Sequence, residues 1–138
     1  MIKQYDNFEQ FFKDATVLDP IEIVEIDNIG EFEAKVDTGN DGYNVLHGEN
    51  IEYNDSNNSV SFTTVNGISV NGMTVYKHVE VNVGAGNTED RPIIKLTFTL
   101  NGQKYTDCEF SIGDRATNSQ KVLLGRKFLS NKNVFVKL

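Results

Sequence analysis

Three Asn-Gly dipeptides, Asn66-Gly67, Asn71-Gly72 and Asn101-Gly102, punctuate a chain in which apolar residues alternate with polar ones. Both residues of such a pair accept positive φ, so each predicts a type I′ turn joining antiparallel strands. The alternation supplies the strands. Ile21 and Ile23 alternate with Glu22, and Phe32, Ala34 and Val36 alternate with Glu31, Glu33 and Lys35, which predicts a hairpin about Asp27-Asn28-Ile29-Gly30. Further strands are expected over 60–65, 70–83, 93–100 and 105–112, the hairpin about Asn101-Gly102 carrying the clearest signal, while the polar stretch 54–59 reads as loop. Near the end, residues 125–129 can make a short helical turn before a strand at Val134-Phe135-Val136. The start differs: Phe8, Phe11 and Phe12 follow Asn7, a permissible N-cap, at i, i+3, i+4 spacing, and Pro20 closes the segment. A short N-terminal helical extension over 1–20 and one mainly β domain over 21–138 are therefore expected.

Composition narrows what such a domain can do. With 138 residues and 38% hydrophobic content the chain suits one compact domain and excludes two full ones. Thirteen Lys and Arg against twenty Asp and Glu leave a net charge of −7, a field that repels phosphate backbones and anionic lipid, so neither nucleic acid nor membrane is expected as a partner. No run nears the roughly eighteen apolar residues that cross a bilayer, and Met1 to Gln10 lacks the pattern of a secretory signal, so a cytoplasmic location is expected. Cys108 is the single cysteine, which excludes an intramolecular disulfide or a multi-thiolate zinc site; beside Phe110 it reads as a buried structural thiol. His47 and His78, the two histidines, form no paired-histidine motif, and no acidic stretch has calcium-loop spacing, so no metal is expected. His47 reads as a loop or packing residue. Gly84-Ala85-Gly86 lacks the third glycine of a dinucleotide fingerprint and reads as a hairpin or mobile loop.

One constellation carries chemistry. Asp37-Thr38-Gly39 stands where the alternating strand Phe32-Ala34-Val36 runs out, so a carboxylate projects from a rigid element into a loop whose glycine lets another backbone approach. Asp-Thr-Gly also ends strands simply as a turn. Eighty-five residues after Asp37, the apolar Val122-Leu123-Leu124 runs into Gly125-Arg126.

Together these segments resemble the retropepsin-like aspartic peptidases, whose subunits carry one Asp-Thr-Gly loop and, much later, a hydrophobic-hydrophobic-Gly segment leading into a short helix. Asp41 and Arg126 stand where retroviral members pair an Asp with an Arg. The chain is most similar to the RimB-type bacterial and phage branch, with Lys35-Val36-Asp37-Thr38-Gly39, Leu46-His47, Asp114-Arg115 and Leu123-Leu124-Gly125-Arg126 in order. Asn40 departs from the pattern, standing where that family has a small Ala or Ser.

The resemblance implies a closed antiparallel retropepsin-like barrel with one short C-terminal helix. It implies a homodimer in which each chain gives Asp37 to a shared dyad that activates water for peptide-bond hydrolysis, without a cofactor. Thr38 and Gly39 would support the dyad. Asp41, Leu123, Leu124, Gly125 and Arg126 would brace its loop, and a hairpin bearing Gly67, Gly72 or Gly84 and Gly86 would form a flap. The partner would be a peptide or protein substrate such as a glutamate-tailed ribosomal protein, met locally by Lys35, Arg115, Lys121, Arg126 and Lys127. Neither zinc nor ATP, named in a common label of that branch, finds ligands here. Asn40 motivates an alternative: a catalytically silent module of the same fold, used for binding or assembly, including as a phage structural protein.

Overall fold

The computed structural model describes residues 16–40, 42–130 and 134–136. Among them run β1 (Thr16–Leu18), β2 (Ile21–Ile26), β3 (Gly30–Val36), β4 (Asn44–His47), β5 (Glu49–Asn54), β6 (Ser59–Thr63), β7 (Ser69–Thr74), β8 (Lys77–Gly84), β9 (Asn87–Leu100), β10 (Gln103–Gly113), β11 (Val122–Leu124), α1 (Arg126–Leu129) and β12 (Val134–Val136). The fold is mainly β, as expected. Strands pair in the order β10-β4-β11-β3-β2-β9, and β9 pairs again with β10, so six strands close a ring that leaves no unpaired edge within it. The long β9 overshoots the ring, and its first half forms a hairpin with β8. Strands β5, β6 and β7 make a separate three-stranded sheet.

Inside the ring lie Val24, Ile26, Phe32, Ala34, Leu46, Ile94, Leu100, Ile112, Val122 and Leu124. Phe98 packs against Tyr105, Phe110 and Phe128 with ring centroids 5.6, 5.7 and 5.2 Å away, so α1 plugs the interior with an aromatic cluster. Among the described residues no helix is long and apolar enough to cross a membrane.

Several expectations need correction. The ring is not purely antiparallel: β4 runs parallel to β10 and β11 parallel to β3, and outside it β1 runs parallel to β12. The expected N-terminal helix falls on residues outside those described, except that 16–18 are strand. Ile21 and Ile23 face outward at 48% and 50% exposure while Val24 and Ile26 are buried, because the register opposes Val24 to Phe32 and Glu22 to Ala34. The expected strand 70–83 is two strands in different sheets, since the Val75 N–H turns to Asn58 O and the Tyr76 N–H to Ile93 O. Residues 49–54, which carry no inward apolar stripe, form β5.

The Asn-Gly signals divide. Asn101 and Gly102, at φ 55° and 78°, make the expected hairpin turn, and Ala85 and Gly86, at 53° and 75°, close β8–β9 in the same way. Asn71-Gly72 is no turn but an irregularity inside β7, where the Gly72 N–H finds Ser61 Oγ at 2.9 Å. At Asn66-Gly67 only the glycine has positive φ, and the Gly67 N–H closes on Thr64 O in a longer loop. Cys108 is half-buried at the core margin rather than enclosed.

Candidate active site

Asp37 follows β3 directly, and its N–H donates to Leu124 O at 3.0 Å, extending the β3–β11 ladder by one residue. The chain then folds back tightly. Gly39 N–H donates to Asp37 Oδ1 at 3.1 Å and Asn40 N–H to the Asp37 carbonyl at 3.2 Å. The carboxylate remains partly open, its side chain 27% exposed, with Lys35 Nζ 3.7 Å from Oδ2. Thr38 and Gly39 are exposed.

The loop and the start of α1 satisfy each other. A helix leaves its first N–H groups without internal partners. Here Arg126 N–H donates to Asn40 O at 2.8 Å and Lys127 N–H to Gly42 O at 3.4 Å, while the buried Gly125 N–H donates to Asn44 Oδ1 at 2.9 Å. Gly125 is required by space, because a Cβ there would lie 2.5 Å from Gly42 O and 2.9 Å from Tyr43 O. Asn40 folds inward on its own loop, its Oδ1 accepting from Gly42 N–H at 3.0 Å. Leu123 and Leu124, both buried, pair with Lys35 and Val36 beneath the loop. The Asp41–Arg126 pair lies outside the described residues; the Arg126 side chain is exposed.

Register places a row of residues across one face. Leu123 opposes both Lys35 and Val45, and Val45 opposes Ser111. Leu46 belongs to the core, so strand alternation turns Val45 and His47 to this other face, which also carries Lys35 and Asp37. Two arginines, each 9% exposed, meet here. Arg91 lies against Gly113, where a Cβ would fall 2.5 Å from Cζ; its Nη2 is 3.5 Å from Glu89, and its buried Nε has no hydrogen-bond partner among the described residues. Burial draws the Arg115 guanidinium below arginine's ordinary range, Arg91 adds to the effect, and Asp37 opposes it. On the other side Tyr43 lies between Lys77 and Lys127, 4.9 and 5.0 Å from its ring. Its hydrogen bond, then that of Glu109, holds the exposed Lys77 ammonium above lysine's usual range.

A cleft of about 430 Å³ separates the Asp37 loop, at Asn40, Gly42 and Tyr43, from β8, with Arg91 and Lys127 on its walls. Of the flap candidates, Gly84 and Gly86 are at the tip of the β8–β9 hairpin that borders this cleft. The Gly67 turn is pinned at the far end of β3 by Asn66 Nδ2 to Ile29 O, 3.1 Å. Gly72 sits within β7. Lys121 points away into its own loop, donating to the Arg115, Ala116 and Asn118 carbonyls at 3.2, 2.9 and 2.7 Å. Sequence reading missed Asn44 and Arg91. Asn44 had a weak signal, as a polar residue opening an apolar strand, whereas Arg91 resembles any exposed strand cation until β10 is placed beside it. Among the described residues no three His, Cys, Asp or Glu side chains gather as a metal site.

The fold is shared with a crystal structure from Legionella pneumophila subsp. pneumophila str. Philadelphia 1, the protein Lpg0085 with unknown function (DUF785): TM-score 0.71 at 21% identity, over 88% of this chain and 92% of that one. No curated protein matches the chain. Residues 17–136 match the model of the RimB-like family, the retropepsin-like aspartic endopeptidase RimB. With the Asp-Thr-Gly loop held by the Leu-Leu-Gly segment, the chain belongs to the RimB-like family of retropepsin-like aspartic endopeptidases.

Proposed function

We propose that this protein is an aspartic peptidase acting as a homodimer, each chain giving Asp37 to one composite site. The observation that carries the reading is Asp37 itself: a partly exposed carboxylate on a loop held from β11, α1 and its own backbone, so that the reacting group is presented rigidly. Two such carboxylates brought together cannot both ionise cheaply and share a proton. The ionised one takes a proton from a water whose oxygen attacks the scissile carbonyl, and the protonated one donates to the developing oxyanion. Collapse of the tetrahedral intermediate, with a proton passed to the leaving amine, breaks the C–N bond. The β8–β9 hairpin would close over the substrate, and Lys35, Arg91 and Arg115 favour an acidic peptide. Asn40 is compatible with this chemistry because its side chain is spent on Gly42 N–H.

Sedimentation equilibrium is expected to give a dimer mass. Asp37→Asn is expected to abolish cleavage of a glutamate-rich peptide while leaving that mass and the thermal midpoint close to those of the parent. A strict monomer at high concentration, or an Asp37→Asn chain that still cleaves, would overturn the proposal in favour of a silent binding module.

A further inference from the structure

We infer that His47 is a positioning residue: by accepting the backbone N–H of Arg115 at Nδ1 it fixes that arginine on the sheet face that carries Asp37. The inference rests on the aspartic-peptidase reading and adds to it a residue that acts through another.

His47 is 2% exposed, and both of its ring nitrogens are engaged. Nδ1 accepts from Arg115 N–H at 2.8 Å, so that nitrogen carries the lone pair. The proton then belongs on Nε2, which lies 3.2 Å from Glu49 Oε1 on β5. The remaining charged neighbour, Asp114, has Oδ1 3.8 Å from Nδ1 and instead accepts the Ala116 N–H at 2.8 Å. A histidine present for bulk alone would need none of these contacts.

Arg115 is held at three of its polar groups. Its N–H goes to His47, its carbonyl accepts from Asn118 N–H at 2.9 Å and from Lys121 Nζ at 3.2 Å, and its Nε donates to Gln120 O at 3.0 Å. Backbone and Nε are thereby committed, and the planar end of the guanidinium is the part left to meet a substrate. Burial, and after it the neighbouring Arg91, draw the Arg115 guanidinium below arginine's ordinary range while Asp37 opposes them, so this cation lies within electrostatic reach of Asp37. Lys121 and Gln120 precede β11 and brace the loop from one side; His47 is the anchor supplied by the ring itself.

The test compares His47→Asn, whose Oδ1 can replace Nδ1 as acceptor, with His47→Gln, whose amide reaches instead toward the Nε2 position. In the full chain, the Arg115 amide resonance should stay downfield in the parent and in His47→Asn and move upfield in His47→Gln. This signal needs no substrate, so it decides the anchoring even if the peptidase reading fails. With a glutamate-rich peptide, kcat/KM should stay within about threefold for His47→Asn and fall at least about tenfold for His47→Gln, mainly through KM. Arg115→Met should fall at least as far, and adding His47→Gln to it should cost nothing more. A folded His47→Gln chain with parental resonances and kinetics would overturn the inference. So would an additive double variant, or a His47→Asn chain that loses the Arg115 signal. If His47→Gln does not fold, retention of both signal and cleavage in His47→Asn, with cleavage lost but the residue-115 amide signal kept in Arg115→Met, supports the inference, and loss of the signal in His47→Asn overturns it.

Discussion

At the scale of single residues, the Asp37 loop depends on what two positions lack or supply. Gly125 lacks a Cβ that would lie 2.5 Å from Gly42 O, and backbone carbonyls cannot retreat as a flexible side chain can. Gly125→Ala is therefore expected to cost about 1–3 kcal/mol in urea denaturation and to move the loop enough to depress cleavage more than stability. Asn44 supplies the acceptor for the buried Gly125 N–H. Asn44→Ala leaves that donor unpaired, with an expected loss of about 1–3 kcal/mol measured the same way. Asp37, Gly39 and Gly125 were legible because short motifs encode them. Arg91 was not, because nothing local distinguishes an exposed strand cation from one that another strand will bury, and Asn44, a polar residue opening the apolar β4, was marked only weakly.

At the scale of elements, the hairpins show how much a turn dipeptide determines. Asn101-Gly102 behaves as its residues require, with both φ angles positive. Ala85 reaches the same region at φ 53° without the side chain that tolerates it. Ala85→Asn should stabilise the β8–β9 hairpin by about 1 kcal/mol or less, read as a small rise in thermal midpoint. If that hairpin is the flap, the same variant should also change kcat, whereas a matching change at the pinned Gly67 turn should not. Asn71-Gly72 failed as a turn because β6 offered Ser61 Oγ to the glycine N–H and the strand continued through it. Helix α1 is too short to be specified by propensity; its N–H groups are completed by the Asp37 loop and its apolar side by Phe98.

At the scale of the whole molecule, a net charge of −7 surrounds a face that concentrates Lys35, Arg91 and Arg115. Cleavage of a glutamate-rich peptide should therefore weaken several-fold between about 0.05 M and about 0.5 M salt, and that of its glutamine analogue much less. Equal salt dependence of the two peptides would remove the cations from substrate recognition.

The sequence by itself determined the local geometry: period-two strands, the Asn101-Gly102 turn, and an Asp-Thr-Gly loop at the end of an apolar strand. These are readable because φ, ψ and side-chain alternation are set by neighbours in the chain. Tertiary structure decided which face of β2 is buried, that β11 inserts between β3 and β4, and that His47 meets Arg115 while Arg91 crosses Gly113. Pairing partners and register depend on packing between segments far apart in sequence, and a shift of one residue reverses every side chain. The cationic face beside Asp37 is thus assembled from segments far apart in the chain, and no one of their patterns shows that Lys35, Arg91 and Arg115 gather there.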